Sequence, residues 1–579
     1  MKRLTFLVCL LLSLVVVSAQ RPELPPTVPA GQPPDTVFLE ALTWAEVRDL
    51  IAGGTTSVIV GTAGTEQKGP HMIDGEHKFV MAHAAEKIAR AMGRTLVAPV
   101  ITYVPEGSWD PPRGHMSKPG TITLPEDRFV ELLVNTGRSL RSGGFTNVFF
   151  LGESGGNRSG MRTAAARLNE LWKDGGGRAW WVDDYYTKGH ADQGRYINET
   201  LGIPGNQSGG HANILDTSEM LFVNPRHVRM AKIADGGGYA NSGVSGDPTK
   251  ATAELGRVFV QIKIDNAVAQ MKGMLAGTVS AAPEPQPGAR GGRAGAGRGG
   301  RGGGRAGRGE AARGGAAADA PPPAPRPTFE TAPAGISPNQ PPDTVFIDEL
   351  TWEETRDALA AGTRTAIVPT GGTEKNGYHM VLGKHNYIVT AAADMMARKL
   401  TKTLVAPTIQ YVPEGNPDRA QPGVISHPSP AFDQLLDAAA RSLQAHGFTD
   451  ILLIGDSGGN QRGLRAVADA LTTEWSDRGA RVYALTDYYE GGRDAYRAWM
   501  LKTFGYGDDV VGSHAGISDT SQLLFVHPAG VRKDRLLPFG GARDSGVSGD
   551  PTKATAEIGK MGVEFKVNAA IDQYRALKR

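Results

Sequence analysis

The chain repeats itself. Ser242–Glu254, reading Ser-Gly-Val-Ser-Gly-Asp-Pro-Thr-Lys-Ala-Thr-Ala-Glu, returns letter for letter at Ser545–Glu557, and Pro33–Phe38 returns at Pro341–Phe346. Glu66 and His77 match Glu374 and His385 at an offset of 308 residues, whereas His211 and Asp247 match His514 and Asp550 at an offset of 303. Copy two is therefore five residues shorter, and the loss falls where Ser108–Lys118 faces Asn416–Gln421. A repeat of this length is too long for a solenoid unit, so each copy is a whole domain. The copies also act as a two-row alignment, in which shared and divergent positions can be read directly.

The segments outside the copies differ in kind. Lys2-Arg3, the apolar run Leu4–Val17 and the small residues Ser18-Ala19 read as a secretory signal cut after residue 19. The run is shorter than the roughly 20 apolar residues of a spanning helix, so no membrane span is expected after cleavage. The sequence predicts an exported protein, periplasmic or extracellular. Cys9, the sole cysteine, lies inside this segment, which leaves the remainder without a disulfide or a thiolate. The formal net charge of +2 hides an Arg-Gly tract at 288–314, flanked by prolines. That tract reads as a disordered linker over 276–340, not as a specific nucleic-acid site. The expected domains are then 33–275 and 341–579.

Within copy one, short β-branched runs alternate with helical patterns. Strands are expected at Ser57–Val60, Thr95–Tyr103, Asn147–Leu151 and Ala179–Val182, and helices at Phe79–Met92, Arg128–Ser142 and Ser159–Trp172. This alternation predicts an α/β layered fold with a mostly parallel sheet, whose ligands bind beyond the carboxyl ends of the strands.

Polar clusters collect at those ends in both copies. After the first strand each copy keeps a Glu (Glu66, Glu374), a His five residues on (His71, His379) and another eleven on (His77, His385). After the third strand stand Gly152-Glu-Ser-Gly-Gly-Asn157 and Gly455-Asp-Ser-Gly-Gly-Asn460, and a later loop supplies His211 with Asp216, or His514 with Asp519. Three readings are open. The residues are caps and turns. Alternatively, Ser154 and Ser457 are nucleophiles of a Gly-x-Ser-x-Gly elbow, with Asp184 and His211 in triad order. Or Glu66 and His77, with Glu153 or Asp184, bind a metal that activates water for amide hydrolysis.

Five motifs in order bear on this choice. Glu66–His71, Pro119–Thr123, Gly152–Asn157, His211–Ser218 and Gly243–Glu254, with their counterparts in copy two, resemble the creatininase (creatinine amidohydrolase) family. The resemblance implies two tandem three-layer α/β/α domains, a divalent-metal site that hydrolyses cyclic or linear amide C–N bonds, and six-subunit assemblies, here a trimer of two-domain chains. The family's metal ligands are Glu, His, Asp and a loop His, and this chain departs from them. Lys68 and Asn376 stand at the His position, His77 and His385 at the Asp position, and Ser154 and Ser457 at the loop His, each serine preceded by Glu153 or Asp456. The altered ligand set is then Glu66, His77 and Glu153 in copy one and Glu374, His385 and Asp456 in copy two. It implies at most one Zn, Mn or Fe per active domain, with Lys68 as a fixed positive charge where a second cation would sit. His211 and His514 fit the catalytic proton carrier, with Asp216 and Asp519 beside them. His71, Ser154 and Asn157, with His379, Ser457 and Asn460, are expected on the side that binds a small amide substrate. Trp109 and His115 lie in the substrate-covering segment that copy two has shortened. A degenerate, noncatalytic binding protein is the remaining alternative.

Overall fold

The computed structural model describes residues 34–205, 209–234, 241–279, 343–538 and 546–579. The expected signal peptide and most of the linker lie outside these residues.

Each copy builds one four-stranded parallel sheet. In copy one β1 (Ser57–Thr62) pairs with β2 (Thr95–Val97) on one side and β3 (Asn147–Gly152) on the other, and β4 (Arg178–Trp181) completes the order β2-β1-β3-β4. Copy two repeats this order with β5 (Thr365–Thr370), β6 (Thr403–Val405), β7 (Asp450–Gly455) and β8 (Arg481–Ala484). All six residues of β1 are buried, as a central strand covered on both faces requires. The second strand is shorter than the sequence suggested: it ends at Val97, just before Ala98-Pro99, and rejoins the sheet only at the isolated bridge Thr62–Ile101. Pro99 lacks the N–H that a ladder needs.

Helices cover both faces. α2 (Glu76–Met92) and α5 (Ala253–Leu275) pack on the outer face around Val80, Ile88, Ile264 and Met271. On the inner face lie α3 (Glu126–Ser142) and α4 (Arg158–Leu171). Their apolar residues join those of copy two in one continuous core that includes Leu133, Phe150, Leu436 and Leu453. The layered α/β/α architecture expected from the sequence is thus present in both copies, and the inner layers are fused.

The junction is reciprocal. Tyr103 OH donates to the Pro407 carbonyl at 2.6 Å, and Tyr411 OH donates to that of Pro99. α1 (Trp44–Ala52) starts with a capping box in which Thr43 and Glu46 exchange hydrogen bonds. Arg532 Nε then reaches Glu46 across the junction at 2.9 Å, and Arg229 Nε reaches Glu354, the capping-box partner in copy two, at 2.7 Å. The chain folds as a covalently linked pseudo-twofold pair. Among the described residues no helix is long and apolar enough to cross a membrane.

Candidate functional site

The carboxyl ends of β1 and β3 open into a cavity of about 290 Å³ in copy one and, at the matching place, one of about 140 Å³ in copy two. The two floors are built from the same kinds of group, wired differently.

In copy one a buried ammonium sits among carboxylates. Lys68 Nζ lies 3.1 Å from Asp216, 3.2 Å from Glu66 and 3.3 Å from Glu76. Burial opposes the charge on Lys68, but Asp216, Glu76 and Glu66 hold its pKa well above the ordinary lysine value. His77 bridges the same acids, with Nε2 2.9 Å from Glu66 and Nδ1 2.9 Å from Glu76. Burial and Lys68 push its pKa down, yet the two carboxylates prevail and raise it to about 10. Glu66 is driven the other way: burial would raise its carboxyl, and His115, Lys68 and His77 bring it well below the usual range. Behind it, burial and the Glu66 charge raise the pKa of Glu106 well above the usual carboxylate range.

The His211-Ala212 loop completes the floor. Ala212 adopts a positive φ of 51°, and its counterpart Ala515 one of 52°. This is a costly conformation for a residue with a Cβ, and each aims its N–H at an aspartate: Ala212 N donates to Asp216 at 2.7 Å, and Ala515 N to Asp519 at 2.9 Å. Burial lowers the pKa of His211 to about 4, helped by Lys68, and leaves its ring neutral. His211 Nε2 donates to the Gln67 carbonyl at 2.8 Å, so Nδ1 is bare and faces Glu66 Oε1 at 3.7 Å.

His115 supplies the third member. In copy one the extra residues form a hairpin, Gly107–Trp109 against Pro112–Gly114, followed by a short turn, His115–Ser117. That turn brings His115 Nε2 to 3.2 Å from Glu66 Oε2, an oxygen that is buried without a hydrogen-bond partner, and sets the His115 ring against that of His211 at 4.6 Å between centroids. Glu66, His115 and His211 each offer one donor atom, all within 4.8 Å of one another, and can hold a metal ion. The chemistry of the set fits a Zn- or Mn-type ion: one carboxylate and two imidazoles, one of them fixed through its far nitrogen by a backbone carbonyl. The Gln67 amide lies 3.2 Å from both His115 Nδ1 and His211 Nε2. Its nitrogen faces the two rings, and its oxygen accepts from Gly69 N at 3.3 Å.

Other expected site residues fall elsewhere. Glu153 lines the cavity, but its oxygens are taken by Lys263 and the Tyr185 hydroxyl; Lys263 also binds Glu219 at 2.7 Å. Ser154 lines the cavity and accepts from Gly156 N at 3.3 Å. No hydrogen bond joins Ser154 to a histidine among the described residues, and its backbone is extended (φ −113°, ψ 144°) rather than strained. The serine-hydrolase reading therefore finds no support, and Asp184, inside the turn Asp183–Tyr185 with its N–H on Gln270, does not line the cavity. His71 Nε2 pairs with Thr217 at 2.9 Å below the floor, its pKa lowered by burial to about 4. Asn157 ties its amide to Thr62, and Asn460 ties its own to Thr370. Trp109 packs beside Arg128 and does not line the cavity.

Copy two keeps the floor and loses the triad. Glu374 receives His385 Nε2 at 2.7 Å, and His385 Nδ1 reaches Asp456 at 2.6 Å. Burial and Lys384 work against the charge on His385, but Glu374 and Asp456 raise its pKa to about 9. Asp456 also accepts from Tyr488 and Lys566. His379 repeats the His71 contact on Thr520. His514 Nε2 meets the Lys375 carbonyl and its Nδ1 lies 3.8 Å from Glu374, as in copy one, but the turn Pro417–Arg419 puts no imidazole opposite. Ser457 lines this cavity without a side-chain cap bond.

Sequence reasoning missed Glu76 and Lys384, Glu106 with its raised pKa, and the Tyr185–Lys263 and Tyr488–Lys566 pairs on Glu153 and Asp456. It placed His115 on the substrate instead of with the donors. A signal was present: aligned positions 76 and 384 exchange a Glu for a Lys, a charge reversal next to a shared histidine.

The creatininase family model, described as creatinine amidohydrolase, matches residues 40–271 and again 348–573. A mycofactocin precursor peptide peptidase from Mycobacterium tuberculosis (strain CDC 1551 / Oshkosh) is 30% identical over 232 residues, covering 36% of this chain and 82% of the relative. Creatinine amidohydrolase from Pseudomonas putida is 25% identical over 201 residues, covering 34% of this chain and 76% of that protein. Among solved structures, a manganese creatininase aligns at 23% identity and a TM-score of 0.34, and a mutant creatininase of Zn-Zn type at 23% and 0.35; each covers 40% of this chain and 98% of its own.

Proposed function

The chain belongs to the creatininase family in both halves, and from that premise we propose that copy one hydrolyses the C–N bond of a small amide or cyclic amide at a one-metal centre held by Glu66, His115 and His211. The observation that carries the proposal is this donor triad, set beside a buried ammonium at the end of the sheet. A divalent ion bound there supplies a Lewis acid for the amide carbonyl and acidifies water at neutral pH.

The chain's own residues divide the remaining work. Lys68 neutralises Glu66 and Asp216 from below, which holds Glu66 ionised and leaves no room for a second ion between them. His77 fixes the Glu66 carboxylate through Oε1. Gln67 orients both imidazoles. Ser154, Gly155 and Gly156 line the cavity next to Tyr186 and His190, so a substrate meets a polar turn beside an aromatic face. Burial lowers the pKa of His190 to about 3, so this face presents a neutral ring. Trp352 of copy two donates to the Ser242 carbonyl at 2.9 Å and underlies Lys118 at 4.6 Å, buttressing the copy-one loops from across the junction.

The test is amide hydrolysis by the purified full chain on a panel running from creatinine to short peptide amides, with and without chelator. Activity abolished by chelator, restored by Zn or Mn and lost in Glu66→Gln supports the proposal. Turnover that is indifferent to chelator overturns it. The Lys2–Gln20 segment further supports placing the activity in an exported protein, either as one two-domain chain or as a trimer of such chains. Mass measurement and amino-terminal sequencing of the mature protein test those two points.

A further inference from the structure

The two cavities differ in charge, and the shared fold does not demand it. Between the copies Glu76 becomes Lys384, Glu219 becomes Gln522, His190 becomes Arg493 and Gly194 becomes Arg497, while Lys68 becomes Asn376. Four of these five changes make copy two more positive. Histidines aside, the copy-one cavity shows Glu66, Glu153 and Asp216 against Lys68, a net negative lining. The copy-two cavity shows Lys384, Lys566, Arg493 and Arg497 against Glu374, Asp456 and Asp519, a net positive one.

The ammonium at the floor is the most informative member. Lys384 Nζ lies 2.9 Å from Asp519 and 3.3 Å from Glu374, the same two acids that Lys68 joins in copy one. The two lysines reach that place from different sequence positions: Lys68 from the loop before α2, and Lys384 from the first residue of the matching helix. Asn376, which has the position of Lys68, serves instead as a staple, donating to the carbonyls of Glu374 and Val381. With no counterpart of His115, Glu374 and His514 lack a third donor among the described residues, and copy two does not fit a divalent ion.

The mouth is basic as well. Arg493 lies over the Tyr489 ring at 5.6 Å with its Nε 3.1 Å from Asp494, and Arg497 pairs with Asp508. Neither acid lines the cavity, and their side chains are 70% and 83% exposed, so water screens both pairs. Deeper in, Lys566 is held by Asp456 at 2.7 Å. Guanidinium groups bind carboxylates through paired N–H donors. The cavity of about 140 Å³ matches the roughly 150 Å³ that accommodates one benzene ring, which limits the ligand to a small acid.

We propose that copy two is a metal-independent binding site for a small carboxylate, received by Arg493 and Arg497 at the mouth above the fixed positive charge of Lys384. The proposal does not depend on hydrolysis in copy one. It is tested by calorimetric titration of the chelator-treated full chain with acetate, propionate and benzoate, each against its neutral amide at constant ionic strength. At least one acid is expected to bind ten-fold or more tightly than its amide. Replacing the mouth residues by those of copy one, Arg493→His with Arg497→Gly, is expected to weaken that binding at least ten-fold, and Glu66→Gln to leave it unchanged. The exchange Asn376→Lys with Lys384→Glu, which installs the copy-one wiring, is expected to weaken it several-fold; unchanged affinity there would remove the part assigned to Lys384. Acid and amide binding alike, no acid binding at all, binding that survives the arginine replacements, or binding lost on chelation would each overturn the proposal.

Discussion

Copy one and copy two neutralise the same pair of acids by different routes. In copy one the ammonium of Lys68 comes from the loop after β1, and Glu76 joins the cluster as a third carboxylate. In copy two the ammonium comes from position 384, which is that of Glu76, and the loop position becomes an asparagine that braces its own turn. The place of the positive charge is kept while its address in the sequence is not. Burying Glu66 with Asp216, or Glu374 with Asp519, is tolerable only with a cation between them, and either position can deliver one. The upper half of each site carries no such constraint, and there the copies part: His115 joins the copy-one donors, and arginines line the copy-two mouth.

The largest contrast is expected in catalysis. Glu66→Gln removes a metal donor and should lower amide hydrolysis by roughly 10²-fold or more, whereas Glu374→Gln should leave kcat within about two-fold. Equal losses in the two variants, measured on one substrate, would break the division of labour. His115→Ala should resemble Glu66→Gln in metal content while sparing the fold, because the side chain of His115 is one-third exposed.

The next contrast is in stability. Lys68→Met strands Glu66, Glu76 and Asp216, and Lys384→Met strands Glu374 and Asp519. Removing one partner of a buried ion cluster costs roughly 3–5 kcal/mol, with the copy-one variant at the upper end because three acids are left. Denaturant unfolding of the full chain reads this difference. If Lys384→Met proves the costlier, Glu76 is protonated in the folded protein and the copy-one cluster is smaller than the distances suggest.

A smaller contrast is in pH dependence. The carboxylates raise His77 to about 10 and His385 to about 9, against their burial. The unfolded value is about 6.5, so each histidine gives a stabilisation fully present below that pH and lost as pH rises through its folded value. Thermal stability should therefore fall on the alkaline side as each histidine loses its charge. His385→Gln should remove the copy-two contribution and leave that of His77.

Much of the fold was legible because it rests on periodic signals. The buried run Asn147–Leu151 and the helical spacing of Phe79–Met92 survive almost unchanged as β3 and α2. The strand predicted through Tyr103 failed at Pro99, where the missing N–H outweighed the β-branched composition. Fusion of the inner layers could not be read, since α3 and its counterpart Ser429–Ala445 look like ordinary amphipathic helices until they meet. At the site, Glu66 was legible as a donor from motif order, whereas His211 was read as the proton carrier and stands among the donors. His115 was not legible as a donor, because its role depends on a hairpin that folds it back onto Glu66. Lys384 was hidden for a different reason: a two-row alignment compares position with position, and this charge had moved from one position to another.

Metal content per chain separates the two copies most directly. Elemental analysis of the full chain reconstituted with Zn or Mn should find one ion per chain, lost in Glu66→Gln and retained in Glu374→Gln. Two ions per chain, or one that survives Glu66→Gln and disappears with Glu374→Gln, would contradict the assignment of the metal centre to copy one.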